Sequence, residues 1–313
     1  MSAFVVSLDF EMFWGVSDIA TVQQYGAHVA GEWAAVPQIL ELFSRYGVRA
    51  TWATVGMLMC RDYADWRARC PAELPAYANG RLSNYTIGPL VMQHPDLFFG
   101  RPLVEQILDT PGQELGSHTY SHFYCGELGA TPEAFAADLQ LATGICAEVG
   151  APEPRSIVFP RNQCIDSFMP VVSGSGFQVI RGNSSSWLYC DGHRLRFGVF
   201  GRAARLVDSF IPLSGPNTWI PHRRGLLTNV PASLFLRPYT AKLGKLQQSG
   251  VRRINQAMTH AATNGEIFHL WWHPHNFGVD LERNLGNLKA VLEHFASLRQ
   301  NYGMRSACMA DFA

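Results

Sequence analysis

Short apolar segments that alternate with helical segments constrain the fold of this chain more than any other feature. Residues 4–10 (FVVSLDF) are apolar and rich in β-forming side chains, and residues 33–46 follow with apolar side chains at helical spacing before Gly47. Strands joined by helices pair in parallel, so this order predicts an α/β fold with a parallel sheet. Further strands are predicted at residues 49–55, 114–117, 156–160, 177–181 and 267–272, with a short one at 234–236, and further helices at 102–108, 131–150, 242–263 and 281–298.

The length of 313 residues allows one large α/β domain, and no linker clearly divides the chain. We therefore expect a single domain over residues 1–313. Residues 57–100 carry four prolines and scattered aromatic side chains, which indicate a long insertion above the sheet. Residues 190–237 are rich in Gly, Pro, Arg and Ser and are expected to be largely irregular.

Composition argues against several classes of function. The formal net charge is zero and only 16% of residues are charged, so a nucleic acid or an anionic membrane surface is a poor candidate partner. No segment approaches the length of an apolar membrane span, and the N-terminus lacks the pattern of a secretory signal. The seven cysteines contain no pair at two-residue spacing, which fits reduced thiols. Together these features predict a cytoplasmic protein.

Polar clusters follow four of the predicted strands. The carboxyl ends of parallel strands meet on one face, where binding sites assemble, so residues far apart in the chain can converge there. Each cluster could also be structural. The residues are Asp9 with Glu11, His118 with His122, Arg161 with Asn162 and Gln163, and His273 with His275.

The run from Gly116 to His122 contains two histidines separated by three residues (HTYSH). On a helical or tightly turned backbone two imidazoles at this spacing can hold one divalent cation. Such pairs also occur by chance on helix surfaces, and a zinc site needs a third protein ligand. Glu11 is a candidate for this third ligand. It lies two residues after Asp9, and residues two apart on a strand point to the same side, so both carboxylates could face one pocket.

These residues resemble the successive motifs of the polysaccharide deacetylases, the NodB-homology group also called carbohydrate esterase family four. The order of the motifs matches over roughly residues 4–275. The resemblance implies a distorted (β/α) barrel, one bound divalent metal ion, and hydrolysis of N-acyl or O-acyl groups on sugars. Zinc is the expected metal, with cobalt, manganese, nickel or iron as alternatives.

The resemblance also assigns roles at the metal. Asp9 matches the catalytic base of the family, and His118 and His122 match its metal ligands. Glu11 matches the metal carboxylate in a variant spacing, since the family usually has two adjacent aspartates where this chain has Asp9, Phe10 and Glu11.

The remaining matches concern proton transfer and substrate contacts. His273 matches the histidine that donates a proton, with His275 as a rival. Arg161 follows Pro160 where the family places Arg before Pro, and it is expected to orient Asp9. Trp187 is a candidate to pack beside His273, with core packing as the alternative. Candidate substrate contacts are Asn162, Gln163, Trp187 and His275, with a backbone N–H near Asn162 at the oxyanion.

The favoured function is a metal-dependent hydrolase that removes an acetyl or formyl group from the nitrogen of a sugar. Because no export signal is visible, the expected substrate is a carbohydrate or glycolipid precursor of a surface glycan. One alternative is a hydrolase of cyclic or other small amides, to which the family also extends. The other is a carbohydrate-binding protein without activity, which the presence of base, metal ligands and acid argues against.

Overall fold

A curved, mostly parallel sheet forms the centre of the computed structural model, which describes residues 1–71, 73–190, 198–244 and 246–313. Within these residues its strands are β1 Ala3–Phe10, β2 Ala50–Thr54, β3 Gln113–Ser117, β4 Ser156–Val158, β5 Val179–Arg181, β6 His222–Arg224, β7 Leu227–Asn229, β8 Leu234–Phe235, β9 Ile267–Trp272 and β10 Arg305–Ala307. Their spatial order is β6-β7-β5-β4-β3-β2-β1-β9-β8, and β10 pairs with the first half of β1. Strands β6 and β7 form the antiparallel pair, and the other named pairs are parallel.

The segment between β7 and β9 brings the two ends of the sheet together. Val230 N–H donates to the Ile180 carbonyl at 2.9 Å, on the β5 side. Ser233 N–H then donates to the His269 carbonyl at 2.9 Å, on β9. A few residues of chain thus pair first with one end of the sheet and then with the other. The sheet curls into a distorted (β/α) barrel, which confirms the predicted fold class.

Helices flank this sheet, and the longest of them each bury one apolar face. In the second helix Val36, Ile39 and Phe43 are fully buried, and Gly47 ends the helix with a φ of 59°. Burying each such side chain contributes about 1.5–3 kcal/mol. The helices are α1 Val22–Ala30, α2 Glu32–Tyr46, α3 Tyr63–Ala68, α4 Gly88–Gln93, α5 Arg101–Asp109, α6 Pro132–Glu148, α7 Met169–Gly174, α8 Gly198–Asp208, α9 Leu246–Asn264 and α10 Leu281–Tyr302.

Residues 57–100 pack tightly against the turn that follows β1. The Trp14 indole N–H donates to the Phe98 carbonyl at 2.7 Å, and the Trp14 ring lies 5.3 Å from the Trp66 ring. Trp14 and Trp66 are fully buried. These contacts therefore hold the turn after β1 in place. The same segment contains α3 and α4.

The segment predicted to be irregular, residues 190–237, contains α8 and the short strands β6 to β8. Residues 191–197 of that segment lie outside the described residues. Across the parts of the chain that the structure describes, no helix combines the length and apolar character needed to cross a bilayer.

Candidate active site and metal centre

The carboxyl ends of four strands deliver polar side chains to one cavity of about 400 Å³. Asp9 lies near the end of β1, and Glu11 follows that strand directly. His118 follows β3, Asn162 lies four residues after the end of β4, and His273 follows β9. These residues are far apart in the chain but line one cavity, as the convergence of parallel strand ends predicts.

Three buried side chains form a group that could hold a metal ion. The Glu11 Oε2 atom lies 3.4 Å from His118 Nε2 and 3.1 Å from His122 Nε2. One ligand atom from each residue falls within 4.8 Å of the other two. All three residues are at most 3% exposed. Two imidazoles and one carboxylate form the donor set of many catalytic zinc sites.

Hydrogen bonds at Nδ1 fix the tautomer of both histidines, with the proton on Nδ1 and Nε2 left to bind a metal. His118 Nδ1 lies 2.9 Å from the Val158 carbonyl, which can only accept, so the proton is on Nδ1. His122 Nδ1 lies 3.0 Å from the Tyr124 hydroxyl, which in turn donates to Asp18 Oδ1 at 3.3 Å. Both Nε2 atoms therefore carry a free lone pair, and the residues present fit a divalent metal.

A tight turn, and not a helix, places the two histidines. Thr119 and His122 adopt left-handed backbone conformations, with φ of 64° and 59°. Asp138 of α6 holds the turn, because its carboxylate accepts from Tyr120 N–H at 2.6 Å and from Ser121 N–H at 3.0 Å. Backbone strain of this kind persists only where surrounding contacts enforce it, and it is concentrated at functional sites.

The charge states of the ligands also suit a cation. Burial pushes the pKa of Glu11 upward, but its neighbours, with His273 as the largest lowering contribution, outweigh it and leave that pKa well below its ordinary value. Burial lowers the pKa of His122, which keeps its imidazole neutral. Gly15 packs directly against the Glu11 carboxyl group, and a Cβ atom at position 15 would overlap it.

Asp9 is held by Arg181 in a buried, two-pronged ion pair. The two Asp9 oxygens lie 2.6 Å and 2.8 Å from the terminal nitrogens of Arg181. The same guanidinium donates to Ser7 at 2.9 Å and lies 4.5 Å from the centre of the Trp271 ring. Burial pushes the pKa of Asp9 upward, but Arg181 and His118 lower it further, so Asp9 is an ionised carboxylate.

Arg161 does not contact Asp9, so the expectation that it orients this carboxylate is not met. Its guanidinium pairs with Asp18 and lies 4.4 Å from the centre of the Tyr124 ring. Arg181 already occupies both oxygens of Asp9. Sequence reasoning missed Arg181, although the available signal was the same one that identified the other residues: a charged side chain at the end of an apolar strand.

His273 and His275 stack on each other, with ring centres 4.9 Å apart, but their surroundings differ. His273 Nε2 lies 3.8 Å from Asp9 Oδ2 and 3.7 Å from Glu11 Oε1, and its side chain is 24% exposed. His275 is buried, and burial together with His273 lowers its pKa to about 3. His273 is thus the histidine that faces both Asp9 and the cavity.

The remaining predicted contacts are only partly at the cavity. Asn162 lines the cavity, and its side-chain Oδ1 accepts from Arg181 at 3.2 Å. Its backbone N–H already donates to the Phe159 carbonyl at 2.9 Å, so this N–H is not available to an oxyanion. Gln163 instead braces a turn, because its Oε1 accepts from Gly126 N–H at 2.8 Å. Trp187 is 54% exposed and is not among the residues that line this cavity. Trp271 takes the expected place beside His273, with ring centres 5.8 Å apart.

Comparison with known proteins finds similarity in sequence and in fold. The sequence profile of the polysaccharide deacetylase family matches residues 30–180. A comparison with curated protein sequences finds no match.

Three solved structures share the fold over 99% of this chain and 88% of their own chains. A Mycobacterium smegmatis protein assigned as a polysaccharide deacetylase has a TM-score of 0.61 at 14% identity. The allantoinase Puue has a TM-score of 0.58 at 12% identity. A probable polysaccharide deacetylase from Pseudomonas aeruginosa has a TM-score of 0.56 at 13% identity. At these identities the likeness concerns the fold.

Proposed function

We propose that this chain is a metal-dependent hydrolase of the polysaccharide deacetylase family, whose profile matches residues 30–180. In this proposal it removes an acetyl or formyl group from the nitrogen of a sugar in a surface-glycan or glycolipid precursor. Family membership implies hydrolase activity. The proposal rests on one observation: the buried donors of Glu11, His118 and His122 face one point beside the ion-paired Asp9 and the partly exposed His273.

Glu11, His118 and His122 would hold the metal, with zinc expected first and cobalt, manganese, nickel or iron as alternatives. Such an ion supplies Lewis acidity, which brings the pKa of water towards 7 and polarises an acyl carbonyl. We also propose a cytoplasmic location, in line with seven cysteines that include no pair at two-residue spacing.

Proton transfer falls to two residues that face the cavity. Asp9 is the proposed base that accepts the proton of the attacking water, since Arg181 keeps it ionised and fixes the direction of its oxygens. An amine leaves badly unless it is protonated, so an acid is also required. His273 is the proposed acid because it is exposed to the cavity and lies near Asp9.

His275 suits this second role less well. Its pKa of about 3 keeps the imidazole neutral at pH 7, so it lacks the second ring proton that an acid would donate. Its ring instead packs against that of His273 and supports its orientation.

The test combines metal analysis with release of acetate or formate from a panel of N-acyl sugars, using wild type and Asp9→Asn. We expect one divalent ion per chain and a loss of about 10²–10⁴-fold in rate for Asp9→Asn. Asp109→Asn is the matched control, because Asp109 is an exposed residue on α5 and is not among the described residues that line the cavity. It should leave the rate unchanged.

A protein that carries no stoichiometric metal and stays inactive after addition of Zn²⁺, Co²⁺, Mn²⁺ or Ni²⁺ would contradict the proposal. Cyclic amides belong in the same panel, and their preferential hydrolysis would favour an amidohydrolase of small molecules. Sugar binding without release of any acid would favour a binding protein.

A further inference from the structure

A second cavity, of about 360 Å³, adjoins the site and shares Asn162, Phe235, Trp271 and His273 with it. It lies between α8, α9 and the segment around β8. The two cavities therefore lie side by side and share the wall that carries His273.

Three arginines line the second cavity: Arg205, Arg237 and Arg253. None of them forms an ion pair with a carboxylate among the residues that the structure describes, and no carboxylate is among the described residues of the lining. The charge of Asp208 acts on Arg253, but this carboxylate is fully buried and already accepts hydrogen bonds from Tyr189 and Ser214.

The arginines leave donors unused. Arg253 is 2% exposed, donates to the Gly215 carbonyl through one terminal nitrogen, and has a buried Nε without a hydrogen-bond partner. Arg237 donates to the Ser209 hydroxyl through Nε, and Arg205 donates to the Gly201 carbonyl through Nε at 3.2 Å. Burial lowers the pKa of Arg237 and Arg253, because no opposite charge compensates them fully. Buried cations are costly unless they are paired.

We propose that this cavity binds a phosphate group carried by the substrate, so that the enzyme takes its N-acyl sugar as a phosphate ester. This inference rests on the proposed function for the position of the sugar. Arginine matches phosphate oxygens with several donors at once, and three cations suit a phosphate or diphosphate better than a single carboxylate. The apolar wall formed by Phe210, Leu236 and Ile254 would cover the group beyond the phosphate, which is either a nucleoside or a lipid.

Binding is tested first, by calorimetry on the full chain in the presence of a chelator. The ligands are uridine diphosphate, a short polyprenyl phosphate in micelles, uridine and glucuronate. We expect at least one phosphate ligand to bind, and Arg205→Gln and Arg237→Gln each to weaken it by about 10-fold or more. Arg202→Gln is the matched control, because Arg202 lies exposed on the same helix as Arg205 and is not among the described residues that line the cavity.

The pattern of binding distinguishes the outcomes. Preference for the nucleotide or for the lipid phosphate identifies the source of the phosphate, and either supports the proposal. Absence of phosphate binding, equal binding of uridine or glucuronate, or an equal loss in Arg202→Gln overturns it.

Activity is tested separately, by comparing kcat/KM for an N-acyl sugar with and without a 1-phosphate. We expect the phosphate to raise kcat/KM in wild type, and Arg205→Gln to reduce this preference about 10-fold. If neither sugar is hydrolysed but arginine-dependent phosphate binding persists, the proposed hydrolase function fails while the phosphate site stands. If both are hydrolysed equally well, the phosphate inference fails alone.

Discussion

Arg181 is the last residue of β5 and Arg161 lies three residues after β4, but only Arg181 contacts the carboxylate of Asp9. Replacement of Arg181 by lysine keeps a positive charge but loses the parallel pair of donors, since an ammonium group cannot match both oxygens. We expect Arg181→Lys to lower kcat for acyl release by about 10²-fold through misplacement of Asp9. Arg161→Lys should cause a much smaller loss, and equal losses would contradict the assignment of Arg181.

Tyr124 is the residue that fixes the protonation of His122. In Tyr124→Phe the Nδ1 proton of His122 loses its acceptor, while the ring of residue 124 and its packing remain. We expect zinc affinity to fall about 10–100-fold, measured by competition with a chromogenic chelator. Tyr302→Phe, at a position 52% exposed on α10, should bind zinc like the wild type. Unchanged affinity in Tyr124→Phe would mean that this hydrogen bond does not orient the ligand.

Among individual site residues, the sequence predicted those that a short stretch of neighbouring residues identifies. Asp9, Glu11 and His273 lie at or directly after the ends of apolar strands, and His118 is identified by its spacing from His122; both signals are visible in the sequence. The contact between Tyr124 and Asp18 joins residues 106 positions apart, and it depends on the left-handed turn at His122. No local pattern encodes such a contact.

At the scale of elements, the turn that carries His118 and His122 depends on α6 through Asp138. Burial raises the pKa of Asp138 to about 6, against the hydrogen bonds from Tyr120 and Ser121 that lower it. This folded-state pKa lies above the unfolded value of about 4, so the folded protein binds more protons between the two values. Protonation of Asp138 therefore favours the folded state as the pH falls.

We expect the free energy of unfolding of wild type, relative to Asp138→Asn, to rise by about 2–3 kcal/mol as the pH falls from 6 to 4. The difference in the free energy of unfolding between the two proteins removes the contributions of all groups that titrate equally in both. Urea unfolding at several pH values measures it. A difference that is independent of pH would show that Asp138 does not titrate in this range.

Elements with a strong apolar pattern were predicted, and the others were not. The strand near residues 267–272 and the helix that follows it both appear as expected. Helix α1 has only Gly26 and Val29 buried, so it shows no apolar stripe. Strand β6 is exposed to half-buried and carries His222, Arg223 and Arg224, which do not resemble a buried strand. The apolar pattern therefore indicates neither element, and the local signal for α1 is instead the capping box of Thr21 and Gln24 at its start.

At the scale of the whole molecule, closure of the barrel depends on backbone hydrogen bonds that no side-chain pattern reveals. The carbonyls of Ile180 on β5 and His269 on β9 accept from residues only three positions apart, Val230 and Ser233. The order of strands and helices predicts the parallel sheet. It does not predict that the chain passes from β5 to β9 between Val230 and Ser233. This closure also brings β9, and with it His273, round to Asp9.

The metal should stabilise the whole fold, because its ligands come from separate strands. Glu11 follows β1 and His118 and His122 follow β3, so an ion held by all three binds only the folded chain tightly. At a free zinc concentration about 100 times the dissociation constant, we expect the free energy of unfolding to rise by about 2.7 kcal/mol. Thermal unfolding with and without zinc measures this as an increase in Tm.

Two variants separate this effect from zinc binding elsewhere. His118→Asn removes one ligand and should abolish most of the increase in Tm, while His94→Asn, between α4 and α5 and outside the ligand group, should keep it. Because the prediction concerns stability, it holds whether or not the substrate is known. An equal increase in Tm for all three proteins would mean that zinc binds the folded chain without His118, and the metal centre proposed here would have to be abandoned.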